Sequence, residues 1–157
     1  MSKKLLLIYG KSGSGKTYLC KVLNLKLVIS HTTRPRRGHE IDGEHYYFIT
    51  EDIYRKIPQE NKIAEVLYNG YKYFTVIGEL VKKNVYIAEP SGIINTQKYI
   101  KEHGYDFDIT VIQIQCNIFK RIYRMIQRGD GVINSIKRAL LDIKHFKEID
   151  HHFTIRT

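Results

Sequence analysis

"KLLLIYGKSGSGKT", residues 4–17, decides how the rest of the chain is read. Leu5 to Tyr9 form a run apolar on both faces, as a buried parallel strand requires. The next eight residues, Gly10 to Thr17, fit the pattern GxxxxGK[ST], directly after that strand and at the start of a helical pattern. Gly10, Gly13 and Gly15 let the backbone curl so that successive N–H groups point at phosphate oxygens, reinforced by the positive end of a helix. Ser12 and Ser14 complete the loop. Lys16 adds a charge for the β- and γ-phosphates, and the Thr17 hydroxyl is placed to ligate Mg²⁺.

Working outward, the 157 residues suffice for one domain, 43% of them hydrophobic. Apolar runs at 4–10, 25–30, 84–90, 108–116 and 152–156 read as strands; helical patterns lie near 16–25, 76–83, 93–103, 118–128 and 136–147. This alternation predicts an α/β fold, a doubly wound parallel sheet of about five strands with helices on both faces. Two regions interrupt it. Residues 31–75 carry tyrosine-rich short strands, a turn at Asp42-Gly43 and a small helix capped by Thr50, and read as an inserted lobe. Residues 129–135, within "RGDGVINS", read as a glycine-broken lid loop. The core is then 1–30, 76–128 and 136–157.

A formal charge of +10 calls for an anionic partner and leaves nucleic acid, nucleotide and membrane surface open, although the basic residues are dispersed and form no tail. The N-terminal apolar run is too short for a signal-peptide core or a membrane span, so a cytoplasmic protein is expected. Cys20 and Cys116 lack metal-ligand spacing and read as buried small hydrophobes; the seven histidines read as structural or surface residues. On the helix at 118–128, Ile118, Ile122, Met125 and Ile126 share one face; Arg121 reads as part of a solvated one.

The loop alone leaves ATPase, GTPase, kinase and motor open. The chain has no Asn/Thr-Lys-x-Asp guanine motif of a GTPase, and the third predicted strand ends in Glu89-Pro90 rather than the Asp of a motor. Together with the loop, "SHTTRPRRGHEIDGEHYYF" (30–48) and "RMIQRG" (124–129) make the chain resemble the guanylate kinase family over nearly its whole length. That resemblance implies a single guanylate kinase-like domain moving the γ-phosphate of ATP to GMP or dGMP with Mg²⁺. It implies that Arg34, Arg37, Tyr46 and Tyr73 hold the GMP phosphate, that Ser30 and Glu65 read guanine, and that Glu89 belongs to the same site. It further implies that Lys16, Arg34, Arg124, Arg128 and Arg138 are the catalytic cations. Arg36 inherits no role.

ATP and GMP are thus the expected partners, without nucleic acid or membrane, in a monomer or dimer. Glu89 replaces the family's usual Asp, Ser91 a Gln and Phe74 a Gly, and the usual helix after the last strand is not expected. The other readings are a non-catalytic guanylate kinase-like binding module, which usually lacks the loop lysine present here, and a kinase for another (deoxy)nucleoside monophosphate.

Overall fold

The computed structural model describes residues 2–38, 40–68 and 70–157. The chain opens with β1 (Lys3–Tyr9) and α1 (Lys16–Val22), then runs through β2 (His31–Thr32), β3 (Tyr47–Phe48) and α2 (Glu51–Lys56). A 3₁₀ turn (Gln59–Asn61) leads into the hairpin β4 (Lys62–Tyr68) and β5 (Tyr71–Val76), followed by α3 (Ile77–Lys82). The remainder is β6 (Val85–Ile87), α4 (Pro90–Glu102), β7 (Phe107–Gln115), α5 (Ile118–Gln127), α6 (Val132–His145) and β8 (Phe153–Arg156).

The first sheet is parallel, in the order β6-β1-β7-β8. Its alternation buries β1 on both sides: Leu5, Leu7 and Tyr9 pack with Val111, Ile93 and Ile100, while Ile8 packs with Ile114 and Cys20 of α1. At the end of β1 the Tyr9 hydroxyl donates to the Ile149 carbonyl at 3.0 Å and its ring stacks on Phe146, which anchors the connection from α6 to β8. The second sheet, order β3-β2-β5-β4, is built from the region read as an inserted lobe and reaches one residue past it, to Val76. Thr50 caps α2 by accepting from the Ile53 N–H. Thus the β-branched cap and the acidic first turn, Glu51 and Asp52, start the helix for the reasons read from sequence.

Several boundaries differ from expectation. The strand expected at 25–30 contributes only one bridge, Leu27 to Val85, beside the four-stranded sheet. Its neighbour β6 is three residues long, so little ladder is on offer at that edge. The first helix stops at Val22, with Asn24 in the left-handed region (φ 48°). The fourth starts earlier than expected because Pro90 occupies its first turn, where its fixed φ and missing N–H cost nothing. The loop read as a lid is shorter than expected, Gly129–Gly131, for α6 begins at Val132 and the Ser135 hydroxyl donates back to Gly131. No helix among the described residues is long and apolar enough to cross a membrane.

Candidate active site

The loop between β1 and α1 is shaped by close backbone approaches that only glycine permits. A Cβ at Gly10 would lie 2.4 Å from the Ile114 carbonyl oxygen, and one at Gly13, whose φ is +76°, 2.6 Å from that of Arg121. Both serine carbonyls are held from afar. Arg121 Nε donates to Ser12 at 2.7 Å, while Ser14 accepts from Thr157 Oγ1 at 2.8 Å and from Arg124 Nη1 at 3.3 Å. The Ser14 hydroxyl is buried with no hydrogen-bond partner among the described residues. Lys16 Nζ donates to the carbonyls of Gly10 (2.6 Å) and Lys11 (3.1 Å), so the ammonium lies within the loop. Burial pushes its pKa down to about 8, against the pull of Glu89 and Asp142. Thr17 is exposed in the first turn of α1.

The second sheet and the loop between β2 and β3 assemble the arginine-tyrosine stretch. Arg34 forms a bidentate pair with Glu40, Nη2 to Oε1 at 2.7 Å and Nη1 to Oε2 at 3.0 Å, with both side chains nearly buried. Its Nε donates to the Tyr73 hydroxyl at 3.2 Å, and the guanidinium lies over Tyr46 and Phe48. Tyr46 and Tyr73 meet edge to face, and burial raises the Tyr46 pKa. Arg37 is exposed; its backbone N–H donates to Glu40 at 2.8 Å. Arg36 reaches only the Glu40 carbonyl, at 3.4 Å.

Glu65 of β4 accepts from the Tyr54 hydroxyl and, at 2.8 Å, from Gln59 Nε2. Burial works against its charge, but these hydrogen bonds and the nearby Lys62 and Lys72 outweigh it and hold the carboxyl below its ordinary value. The Tyr54 hydroxyl, donating to that carboxylate, is pushed up to about 12. Ser30 lies beside the phenol of the buried Tyr86, whose pKa burial pushes up to about 12. Phe74, in place of the expected glycine, is buried against His31 and Tyr54.

Arg128, at the end of α5, and Arg138 of α6 converge on one acid. Asp130 pairs with Arg128 and, at 2.9 Å, with Arg138; burial opposes its charge, yet these arginines and Arg37 hold its pKa below the ordinary value. Glu89 lies close enough to Lys16 and Arg138 to feel both charges, although the protein around it raises its carboxyl pKa.

The model of the family described as "Guanylate kinase" matches residues 2–90, more than half of the chain. A guanylate kinase of Acinetobacter baylyi is 37% identical over 167 aligned positions, which take in 96% of this chain and 78% of that protein. The chain belongs to the guanylate kinase family. A guanylate kinase of Caldanaerobacter subterraneus subsp. tengcongensis is also 37% identical, but over 52% of this chain and only 42% of its own length. The crystal structure of guanylate kinase from Anaplasma phagocytophilum shares the fold, with a TM-score of 0.65 at 20% identity over 99% of this chain and 78% of that one.

For this guanylate kinase family member the structure also corrects the sequence reading. Arg121 is 2% exposed and pairs with Asp142 instead of facing water. Cys116 is half-buried and accepts from Arg124, whereas Cys20 is buried; both are free thiols. His151 and His152 serve structural bonds, to Tyr9 and to the Val111 N–H; His39 and the His145 side chain lie outside the described residues. Sequence reasoning missed Glu40, whose only signal is its place in the E-x-D-G motif, and Thr75, a buried β5 hydroxyl with no hydrogen-bond partner among the described residues.

Proposed function

We propose that this chain transfers the γ-phosphate of ATP to GMP. The observation that carries the reading is the convergence of cations from three separate segments. Lys16 of the loop feels the charge of Arg128, and Arg128, Arg138 and the lobe's Arg37 all act on Asp130. Two nucleotides bringing several negative charges together require such a concentration of positive charge, and phosphoryl transfer needs little from a protein beyond positioning and charge stabilisation. In this reading Lys16 leaves the loop carbonyls for the donor phosphates, and Arg124, Arg128 and Arg138 stabilise the transferring group as phosphate displaces Asp130.

Arg34, fixed by Glu40, acts with Arg37, Tyr46 and Tyr73 on the acceptor phosphate. Glu65 and Ser30 read guanine, whose N1–H and 2-amino group suit two carboxylate oxygens, whereas adenine has an acceptor at N1. Among the described residues no three His, Cys, Asp or Glu side chains form a metal site. The fit for Mg²⁺ is therefore one in which the nucleotide supplies most ligands and the exposed Thr17 hydroxyl one, with Glu89 as the nearby carboxylate. Bound there, Mg²⁺ would neutralise phosphate charge.

The test measures ADP formation from ATP and Mg²⁺ with GMP, dGMP, AMP, CMP and UMP, for the wild type and Glu65→Ala. GMP is expected as the preferred acceptor, and the substitution is expected to narrow the GMP-to-AMP ratio of kcat/KM by about 10- to 100-fold, the cost of one or two unpaired polar groups. GMP binding without turnover would instead favour the binding-module reading.

A further inference from the structure

Arg121 is a buried cation to which the proposed reaction gives no part. It projects from α5 with 2% exposure, donates Nε to the Ser12 carbonyl at 2.7 Å, and pairs through Nη2 with Asp142 of α6. The same Asp142 carboxylate accepts the Ser12 N–H at 2.8 Å. A closed ring results in which one loop residue has both backbone polar groups held by one ion pair, whose arginine is buried and whose aspartate is 22% exposed. The Ser12 carbonyl and the Gly13 N–H share a planar trans peptide, so drawing the carbonyl towards α5 turns the Gly13 N–H to the opposite side. Gly13 itself is pressed against the Arg121 carbonyl oxygen, where an added Cβ would stand at 2.6 Å.

An ion pair whose arginine is fully buried is a poor way to gain stability. Desolvating two charges costs as much as their attraction returns, and well-packed apolar residues can often replace such a pair without loss. What apolar residues cannot do is orient a peptide plane. We propose that Arg121 and Asp142 are positioning residues of the donor site: they hold the Ser12–Gly13 peptide so that the Gly13 N–H faces the donor phosphates. They also join the loop to α6, the helix that carries Arg138. This rests on the phosphotransfer reading given above.

The test compares the double variant Arg121→Leu/Asp142→Leu with Arg121→Lys, which keeps a charge for Asp142 but loses the fork that spans both partners. ATP with Mg²⁺ is titrated calorimetrically, and KM is measured for ATP and GMP separately. The double variant is expected to melt cooperatively near the wild type, with ATP affinity reduced about tenfold or more and KM for GMP within about twofold, since small misplacements of a positioned group carry costs of this order. Arg121→Lys is expected to show the same split at smaller size. Wild-type ATP affinity in the double variant, or equal losses for ATP and GMP, would overturn the proposal. Should the double variant not fold, wild-type ATP affinity in Arg121→Lys would do so. A wild type that binds ATP but does not phosphorylate GMP would count against the phosphotransfer reading, while the ATP titrations would still decide the role of the pair.

Discussion

In the phosphate loop, Ser12 and Ser14 are gripped by side chains 109 to 143 positions further along the chain. In the lobe proposed to hold the acceptor, Arg34 and Glu65 are bound by residues 1 to 39 positions away. The donor half is therefore a product of the whole fold, because α5, α6 and the end of β8 must all dock before the loop is complete. Arg34 and Glu65 are satisfied from within the lobe, by its loop, its sheet, α2 and the 3₁₀ turn. Such a division lets one half be disturbed while the other keeps its affinity.

The sharpest way to break this comparison is Lys16→Met. Turnover is expected to fall by at least about 10²- to 10³-fold, as for loss of a group aimed at transition-state charge, while GMP affinity in a direct titration stays within a few fold. A matching loss of GMP affinity would show that the halves are not separable. A smaller effect comes from pH. Burial brings Lys16 to about 8, so rising pH discharges it well before an ordinary lysine. The neutral amine no longer attracts phosphate, so KM for ATP is expected to climb about five- to tenfold from pH 7 to 9 while KM for GMP stays nearly flat. Steady-state kinetics at fixed ionic strength across that range would show whether the two curves part. Smallest is Thr50→Ala, which removes the cap of α2. It is expected to cost about 1 kcal/mol, read by denaturant unfolding, with ATP affinity unchanged.

The same division governs what can be read from sequence. The loop glycines stand at positive φ within one eight-residue pattern, although the carbonyls that crowd Gly10 and Gly13 come from Ile114 and Arg121, and β1 and β7 are apolar on both faces because both faces are covered. Those features are visible in a short window. The burial of Arg121 is not, since arginines at 121, 124 and 128 have the same helical spacing whether the face meets water or the loop, and Asp142 lies 21 positions further on. Glu40 looks like a surface charge in a basic run until the chain folds it against Arg34. The start of α6 is obscured because Gly129 and Gly131 look like one continuous loop, whereas the second of them is the residue just before the helix. The weak strand near Leu27 fails for a different reason: an apolar run shows a capacity to pair, and the length of its neighbour limits how much pairing occurs.

The hairpin of β4 and β5 carries one irregularity with consequences for the lobe's ancestry and engineering. Pairing runs regularly through Ile63 opposite Thr75, then shifts so that Val66 rather than Glu65 stands opposite Tyr73, with Ala64 in the left-handed region at φ 55°. Had the register continued unbroken, Glu65 would occupy the place opposite Tyr73 and point to the other side of the sheet. The carboxylate thus owes its direction to a miscount of one residue, maintained at a local conformational cost of about 1 to 3 kcal/mol that alanine bears and glycine would not. A strand of this kind tolerates exchange of its side chains more readily than a change in its length. Homologous lobes should accordingly be aligned on the shifted residue rather than on the hydrophobic pattern around it.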